Sequence, residues 1–326
     1  MFFSCSKPAA KIHFEGEAQG TYYSITYFDQ QSRNFQQSID SLLDAFNLSV
    51  SLWDDSSIIS RINRNEHNVR TDTVFRDIFR ISNQISEHSD GAFDVTVGKL
   101  VAAWGFHKKQ GKVPDSALIT ELQRHIGYKT IQLESDKLIK LDTATGIDFN
   151  AIAQGYSVDM VGAFLSSKGI KNFLIDIGGE VLGNGNKADG TPWKVGIEKP
   201  TENANSDREL EATLPLADGA IATSGNYRKY YEVNGIRYSH TIDPATGYPV
   251  RHNLLSATVL AKTAAIADAW ATAFMVMGHH KALHLINQHP EYNLQACFIV
   301  AEPNGKHAIV MTEGLKSLIT KLQTTP

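Results

Sequence analysis

The chain has 326 residues, 42% of them apolar and 20% charged, with 31 basic against 35 acidic side chains for a formal charge of −4. So large an apolar fraction with so little net charge excludes intrinsic disorder, and the length allows one large domain or two ordinary ones. A near-neutral balance offers no basic surface for a phosphate backbone, so nucleic acid is not an expected partner, and no window of about 18 apolar residues is present to span a bilayer.

The chain starts with Phe2-Phe3-Ser4-Cys5, followed by Lys7 and Pro8. Aromatic and small residues directly before a cysteine resemble the end of a bacterial lipoprotein signal, in which the cysteine becomes the acylated first residue. Four residues are too few for a whole signal, which needs a charged start and an apolar stretch of about 7 to 15 residues, so either that start is missing or the match is coincidental. Residues 1–13 are expected to form a tether and 14–326 one folded unit. Cys297, in the apolar run Leu294–Val300, is expected to be a small buried hydrophobe.

From Thr21 to Phe28 the chain is β-branched and aromatic over a strand's length. Helical spacing follows at Phe35, Ile39, Leu42, Leu43 and Phe46, then at Phe75, Ile78, Phe79, Ile81 and Ile85. A third helix is expected after Pro114, with Leu118, Ile119, Leu122 and Ile126 on one face and Gly127 as its stop. Short strands are expected at Ile131–Leu133 and Leu138–Leu141. Further on, Asn234-Gly235 suits a type I′ hairpin turn between Tyr230–Val233 and Ile236–Tyr238, and Pro303-Asn304-Gly305 suits a second hairpin. Thr263–Met277 reads as an alanine-rich helix stopped by Gly278, and Thr312 as the cap of a last helix with Leu315, Leu318, Ile319 and Leu322. Helices interspersed with hairpin-linked strands indicate an α+β fold with a mostly antiparallel sheet.

Four segments carry chemistry. The helix Ala264–Met277 is apolar nearly all round, yet holds Asp268 and Thr272 one turn apart on one face. A buried carboxylate needs a cation or hydrogen-bond donors. Mg²⁺, with the Thr272 hydroxyl as a second ligand, satisfies that need, and so does a distant arginine or a set of backbone amides. Gly146–Asp159 combines an extended approach, a turn of polar and small residues, and a helix start, where backbone amides favour phosphates; an ordinary strand-to-helix turn has the same pattern. In Ile175–Gly185 the paired Gly178-Gly179 permit either close approach of a ligand or a bulge. His240 stands at a strand end beside Ser239, Thr241 and Asp243, where a side chain projects from rigid elements into a site.

These segments, together with Gly91–Gly98, Trp104-Gly105-Phe106 and Thr223–Tyr227, occur in the order found in the ApbE family, which this chain resembles from about Gly20 to Met311. Members of that family are flavin transferases that move FMN from FAD onto a threonine of a partner protein and release AMP. The resemblance implies a single ApbE-like, T-fold-like unit. It implies Mg²⁺ held by Asp268, Thr272 and the carbonyl of Ala151, with Ala271 adjoining. It places Gln19, Trp53, Asn63, Ala92, Phe93, Asp94, Asp148, Gln154 and Ile242 around FAD, and an indole such as Trp53 stacks well on a flat ring. His240 resembles the family's base, a task that an imidazole, titrating ordinarily at about 6.5, suits. The implied acceptor is a flavoprotein subunit of a membrane redox complex, of the Rnf or Na⁺-translocating NADH:quinone reductase type. The implied location is extracytoplasmic, at the periplasmic face of the inner membrane, with a lipid anchor at Cys5. Two positions depart from the common pattern: Gln154 stands where many relatives have lysine, and Gln19 where many have methionine. FAD hydrolysis to FMN and AMP, or storage of FAD without turnover, are the alternatives.

Overall fold

The computed structural model describes residues 9–106, 113–200, 209–226, 230–233 and 236–322. β1 (Ala10–Ala18) and β2 (Thr21–Asp29) form a hairpin whose turn, Gln19-Gly20, has φ of 55° and 73°. Two successive positive values belong to a type I′ turn, whose twist matches the strands it joins. β1 starts at Ala10, inside the stretch read as a tether, because Ile12 and Phe14 have a core to join, with Phe14 edge-on to Tyr23 and Tyr27.

Five helices follow: α1 (Gln36–Val50), α2 (Ile58–Asn63), α3 (Thr73–His88), α4 (Gly98–Ala103) and α5 (Ser116–Gln123). A ribbon of β3 (Ile131–Glu134) and β4 (Lys137–Lys140) leads towards α6 (Ala153–Ser167). The second half holds β5 (Phe173–Ile177), β6 (Glu180–Asn184), β7 (Trp193–Glu198), β8 (Leu210–Leu216), β9 (Gly219–Gly225), β10 (Tyr230–Val233), β11 (Ile236–Ser239) and β12 (Leu254–Ala261). It closes with α7 (Ala264–Met277), α8 (His279–Gln288), β13 (Gln295–Ala301), β14 (His307–Met311), α9 (Glu313–Leu318) and β15 (Lys321–Leu322).

Eight strands make the main sheet in the order β1-β2-β5-β6-β9-β12-β13-β14, every neighbouring pair antiparallel. One face carries α1, α6 and α7, which bury Leu43, Val161 and Phe274 against it, and α3 packs on α1 and α7. The other face carries the small sheet β15-β8-β7, sealed by Val195, Ile197, Leu214 and Cys297. Cys297 is fully buried, and burial pushes its thiol up to about 12, as befits an inert core residue. The architecture is therefore the expected α+β one, with layers on both faces of an antiparallel sheet.

Local chemistry accounts for some element ends and not for others. Thr263 caps α7 through the Ile266 amide, and Gly278 stops it at φ 79°. α5 is shorter than its apolar spacing predicts, since it ends at Gln123, and Leu118 is 44% exposed. Thr312 precedes α9 without capping it by its side chain, because its hydroxyl bonds Gln295 and Ala296 of β13. Val233 faces Ile236 across the β10–β11 hairpin, and the predicted Asn234-Gly235 turn lies outside the described residues, as does Cys5.

α6 and α7 cap each other. Asp159 of α6 accepts hydrogen bonds from the Ala264 and Ala265 amides that open α7, at 2.8 and 2.9 Å. Asp268 of α7 accepts one from Gly155, the third residue of α6, at 3.1 Å. Each carboxylate thus satisfies amides that have no partner within their own helix. Burial raises the Asp159 carboxyl from 3.8 to about 6, against the opposing pull of the two amides and Thr263. The folded chain therefore holds this proton over a range where the unfolded chain has released it. Stability from this group is complete below pH about 4 and is lost as pH rises through about 6, a change of about 3 kcal/mol. Denaturation of wild type and Asp159→Asn at pH 4 and pH 7 measures it. The stability difference between the two proteins should shift against wild type on going to the higher pH, and a flat difference contradicts the assignment.

Candidate active site

A cleft of about 1680 Å³ opens between the helical layer and the sheet ends. α7 supplies Asp268 and Thr272, and the turn before α6 supplies Asp148, Asn150 and Ala151. Asp268 is 6% exposed, and the Thr272 hydroxyl lies 3.1 Å from the Ser224 hydroxyl at the end of β9. The backbone amide from Gly155 to Asp268 is one of the alternatives considered for this carboxylate, yet the same residue lines the cleft. Gly155 is required where the two helices cross. A Cβ there would lie 2.8 Å from that of Asp268 and closer still to the Ala264 carbonyl oxygen. Gly155→Ala is expected to cost about 1–3 kcal/mol, measured by thermal denaturation, because backbone must move to admit the methyl. An unchanged melting temperature contradicts this crossing.

The segment before α6 reaches the cleft through hydrogen bonds rather than as a regular strand. The Asp148 amide bonds the Val95 carbonyl at 2.8 Å, and the Asp148 carboxylate turns the chain by accepting from Asn150 at 2.7 Å. Asn63 does not line the cleft. Its amide group donates to the Ile147 carbonyl and accepts from the Ile147 amide, both at 2.8 Å, and so holds the residue next to Asp148 in place. Ala271 is likewise out of the cleft, fully buried in α7 beside Thr272.

Ala92, Phe93 and Asp94 line a wall formed after α3. Asp94 is a loop organiser: its oxygens accept from the Thr96 amide and hydroxyl at 2.8 and 2.6 Å and from the Tyr128 amide at 2.9 Å. Burial raises its carboxyl, opposed by these donors. Trp53 sits at the mouth on the α1–α2 loop and is 68% exposed. Gln19 occupies the opposite turn, its Nε2 buried without a protein hydrogen-bond partner. Gln154 donates to the Ile177 carbonyl at 2.8 Å and to the Glu180 carboxylate, and so covers the β5–β6 turn. Gly178 and Gly179 there have φ of 62° and 108°, and a Cβ on Gly178 would strike Thr21 and Gln154.

His240 and Ile242 enter from the β10–β11 side. His240 is half-buried and meets the Phe106 ring edge-on at 6.4 Å. Its neighbours anchor it: Ser239 and Thr241 are buried, and the Thr241 hydroxyl donates to Asn226 at 2.9 Å. Beyond it, Ile242 bridges to Pro249, and Trp104 ties this turn down through the Gly247 carbonyl at 2.9 Å.

Among the described residues the lining holds seven carboxylates, Asp54, Asp94, Asp148, Asp176, Glu180, Glu198 and Asp268, against one lysine, Lys194, and one histidine. Sequence spacing did not mark Asp54, Glu180, Lys194 or Glu198. Glu180 had a usable signal, since it follows the paired glycines, whereas Lys194 and Glu198 come from a strand with no motif.

The sequence profile of the ApbE family matches residues 19–298, most of the chain. The chain belongs to the ApbE family. It is 37% identical over 291 residues to an FAD:protein FMN transferase of Vibrio cholerae, covering 86% of this chain and 85% of that one. With the FAD:protein FMN transferase of Escherichia coli K12 it shares 34% over 306 residues, 88% of this chain and 86% of the other. The fold superposes on the flavin transferase ApbE from Vibrio cholerae with a TM-score of 0.84 at 33% identity, over 95% of this chain and all of the other. For the apo flavinyl transferase ApbE of Pseudomonas stutzeri the TM-score is 0.85 at 30% identity, over 96% and 98% of the two chains. The ApbE segments that are far apart in sequence, around Asp94, Asp148, Gly178, His240 and Asp268, all border the one cleft.

Proposed function

We propose that this protein transfers FMN from FAD to a threonine hydroxyl of a partner flavoprotein and releases AMP. The observation that carries the reading is the convergence of His240, Asp268 and Thr272 on one cleft, in a chain that is 37% identical to an FAD:protein FMN transferase. The cleft also has room for a dinucleotide, an exposed indole at its mouth for a flat ring, and in Gln19 Nε2 a buried donor for an acceptor atom of the ligand.

Mg²⁺ fits the donor set. Among the described residues no group of three His, Cys, Asp or Glu could hold a metal ion. A hard ion bound by one carboxylate, one hydroxyl and one carbonyl, and completed by substrate phosphates and water, needs no such group. Asp268, Thr272 and the Ala151 carbonyl would hold it. When bound, Mg²⁺ would neutralise charge on the pyrophosphate, which a lining so rich in carboxylates does not do alone.

The residues of the chain then have distinct tasks. Trp53, Phe93 and Ile242 provide apolar surface for the flavin, and Asp148 and Gln154 provide polar contacts. His240 takes the proton as the acceptor oxygen bonds to the FMN-side phosphorus. The bond from that phosphorus to the bridging oxygen breaks, and AMP leaves with the oxygen. Gln154 brings no positive charge, and its bond to Glu180 shows what a lysine there would have faced.

We further propose an acceptor of the Rnf or Na⁺-translocating NADH:quinone reductase type, outside the cytoplasm, with Cys5 as the lipid anchor. No helix among the described residues is long and apolar enough to cross a membrane. The test incubates protein, FAD and Mg²⁺ with and without the FMN-accepting subunit of such a reductase, and follows AMP and acceptor mass. AMP together with an acceptor heavier by one FMN is expected. AMP with an unmodified acceptor means hydrolysis, and bound FAD with neither product means storage.

A further inference from the structure

The cleft extends past the reaction site to β7, a strand with no counterpart in the chemistry above. Lys194, Gly196 and Glu198 line it from one face of β7, and Val195 from the other. Residues from both faces of one strand border the same space where that space reaches the strand's edge or its end, and Leu210 of β8 borders it opposite Glu198. β7 is such an edge: among the described residues it pairs with β8 alone.

The register shows which groups point outwards. Thr213 of β8 gives its carbonyl to the Thr320 amide on the far side, at 2.8 Å, so its peptide groups face away from β7. Gly196 lies opposite Thr213, and Lys194 opposite Pro215, which has no N–H to offer. The β7–β8 bonds therefore come from Val195 and Ile197, and the amides and carbonyls of Lys194 and Gly196, two residues that line the cleft, point away from β8. Across from them the main sheet contributes Leu174, Val181 and Ile221 to the same lining, an apolar floor beside a row of backbone donors and acceptors. An edge that is bare among the described residues is a template for another strand, and proteins ordinarily cover such edges.

We infer that the acceptor polypeptide docks here in extended form, as an added strand on β7 that leads its threonine towards His240; this rests on the transfer reading above. The occupant is a polypeptide rather than a second nucleotide, because the edge offers N–H and C=O groups at strand spacing, which an extended main chain matches and a nucleotide does not. An added strand is held by main-chain bonds, with side chains read only on the apolar floor.

The test uses Lys194→Pro and Lys194→Ala. Proline removes the outward amide at an edge position that tolerates it, and alanine removes the charge but keeps the amide. With the acceptor subunit, the KM of Lys194→Pro should exceed that of Lys194→Ala at least about tenfold, the loss of one main-chain bond together with its neighbours. Equal KM values in two variants of wild-type melting temperature overturn the inference. Should the proline variant fail to fold, amide hydrogen exchange of the wild-type protein decides. Adding the acceptor should slow exchange at Lys194 and Gly196, and unchanged exchange while transfer proceeds overturns the inference without touching the transfer reading. Protection that appears without acceptor and grows with protein concentration points to a second copy of this chain and also overturns it. If wild type transfers no FMN, the transfer reading itself fails.

Discussion

Asp268→Ala should lose Mg²⁺-dependent release of AMP from FAD, by a factor on the order of a thousand if the ion contributes several kcal/mol to the transition state. The alanine variant also leaves the Gly155 amide buried without its acceptor, which costs about 1–3 kcal/mol, so lost activity alone would be ambiguous. Asp268→Asn separates the two effects. Its side-chain oxygen still accepts from Gly155 and keeps α6 capped, while the charge that a divalent ion requires is gone. The asparagine variant should therefore melt near wild type and yet need far more Mg²⁺ for any turnover. AMP release at the wild-type rate and Mg²⁺ dependence in Asp268→Asn would remove Asp268 from the metal site.

His240→Ala is expected to slow FMN transfer by about 10²- to 10⁴-fold, the usual worth of a positioned base, with little change in FAD affinity. The ring lies among anchored neighbours, Ser239, Thr241 and the bridge from Ile242 to Pro249, so its loss need not disturb the rest of the cleft. A base of this kind leaves a signature in pH. The transfer rate of wild type should rise as the imidazole sheds its proton, and this limb should vanish in the alanine variant. A variant that keeps the limb, or one that loses FAD binding in parallel with the rate, would make His240 a binding residue instead.

Elements with strong local chemistry were legible in the sequence. α7 announces itself by its alanines, its Thr263 cap and its Gly278 stop, and α3 by apolar residues at helical spacing. The β13–β14 hairpin follows from its Pro303-Asn304-Gly305 turn, where Gly305 has φ 79°. Spacing puts Leu118 on one face with Ile119, Leu122 and Ile126, but in α5 Ile119 is buried and Leu118 is 44% exposed. Thr312 stands at a cap position, yet β13 offers its hydroxyl better partners. β7 and β8 passed unnoticed since neither carries a motif, and α2 and α4, at six residues each, are too short to show a period.

The candidate site divides in the same way. The chain names its reactive groups locally: Asp268 and Thr272 share a helix face because a turn of helix separates them, and Gly178-Gly179 makes a tight turn because only glycine adopts those angles freely. Which of these groups meet is not a local property. Gly155 and Asp268 are 113 residues apart and come together because α6 and α7 cross on one face of the sheet with no side chain between them. The same folding makes Asn63 a clamp on Ile147 outside the cleft lining, and brings carboxylates from six separate segments to one cleft. Hydrogen-bond partners and packing across the sheet set these meetings, and both act over distances in sequence that no spacing rule spans.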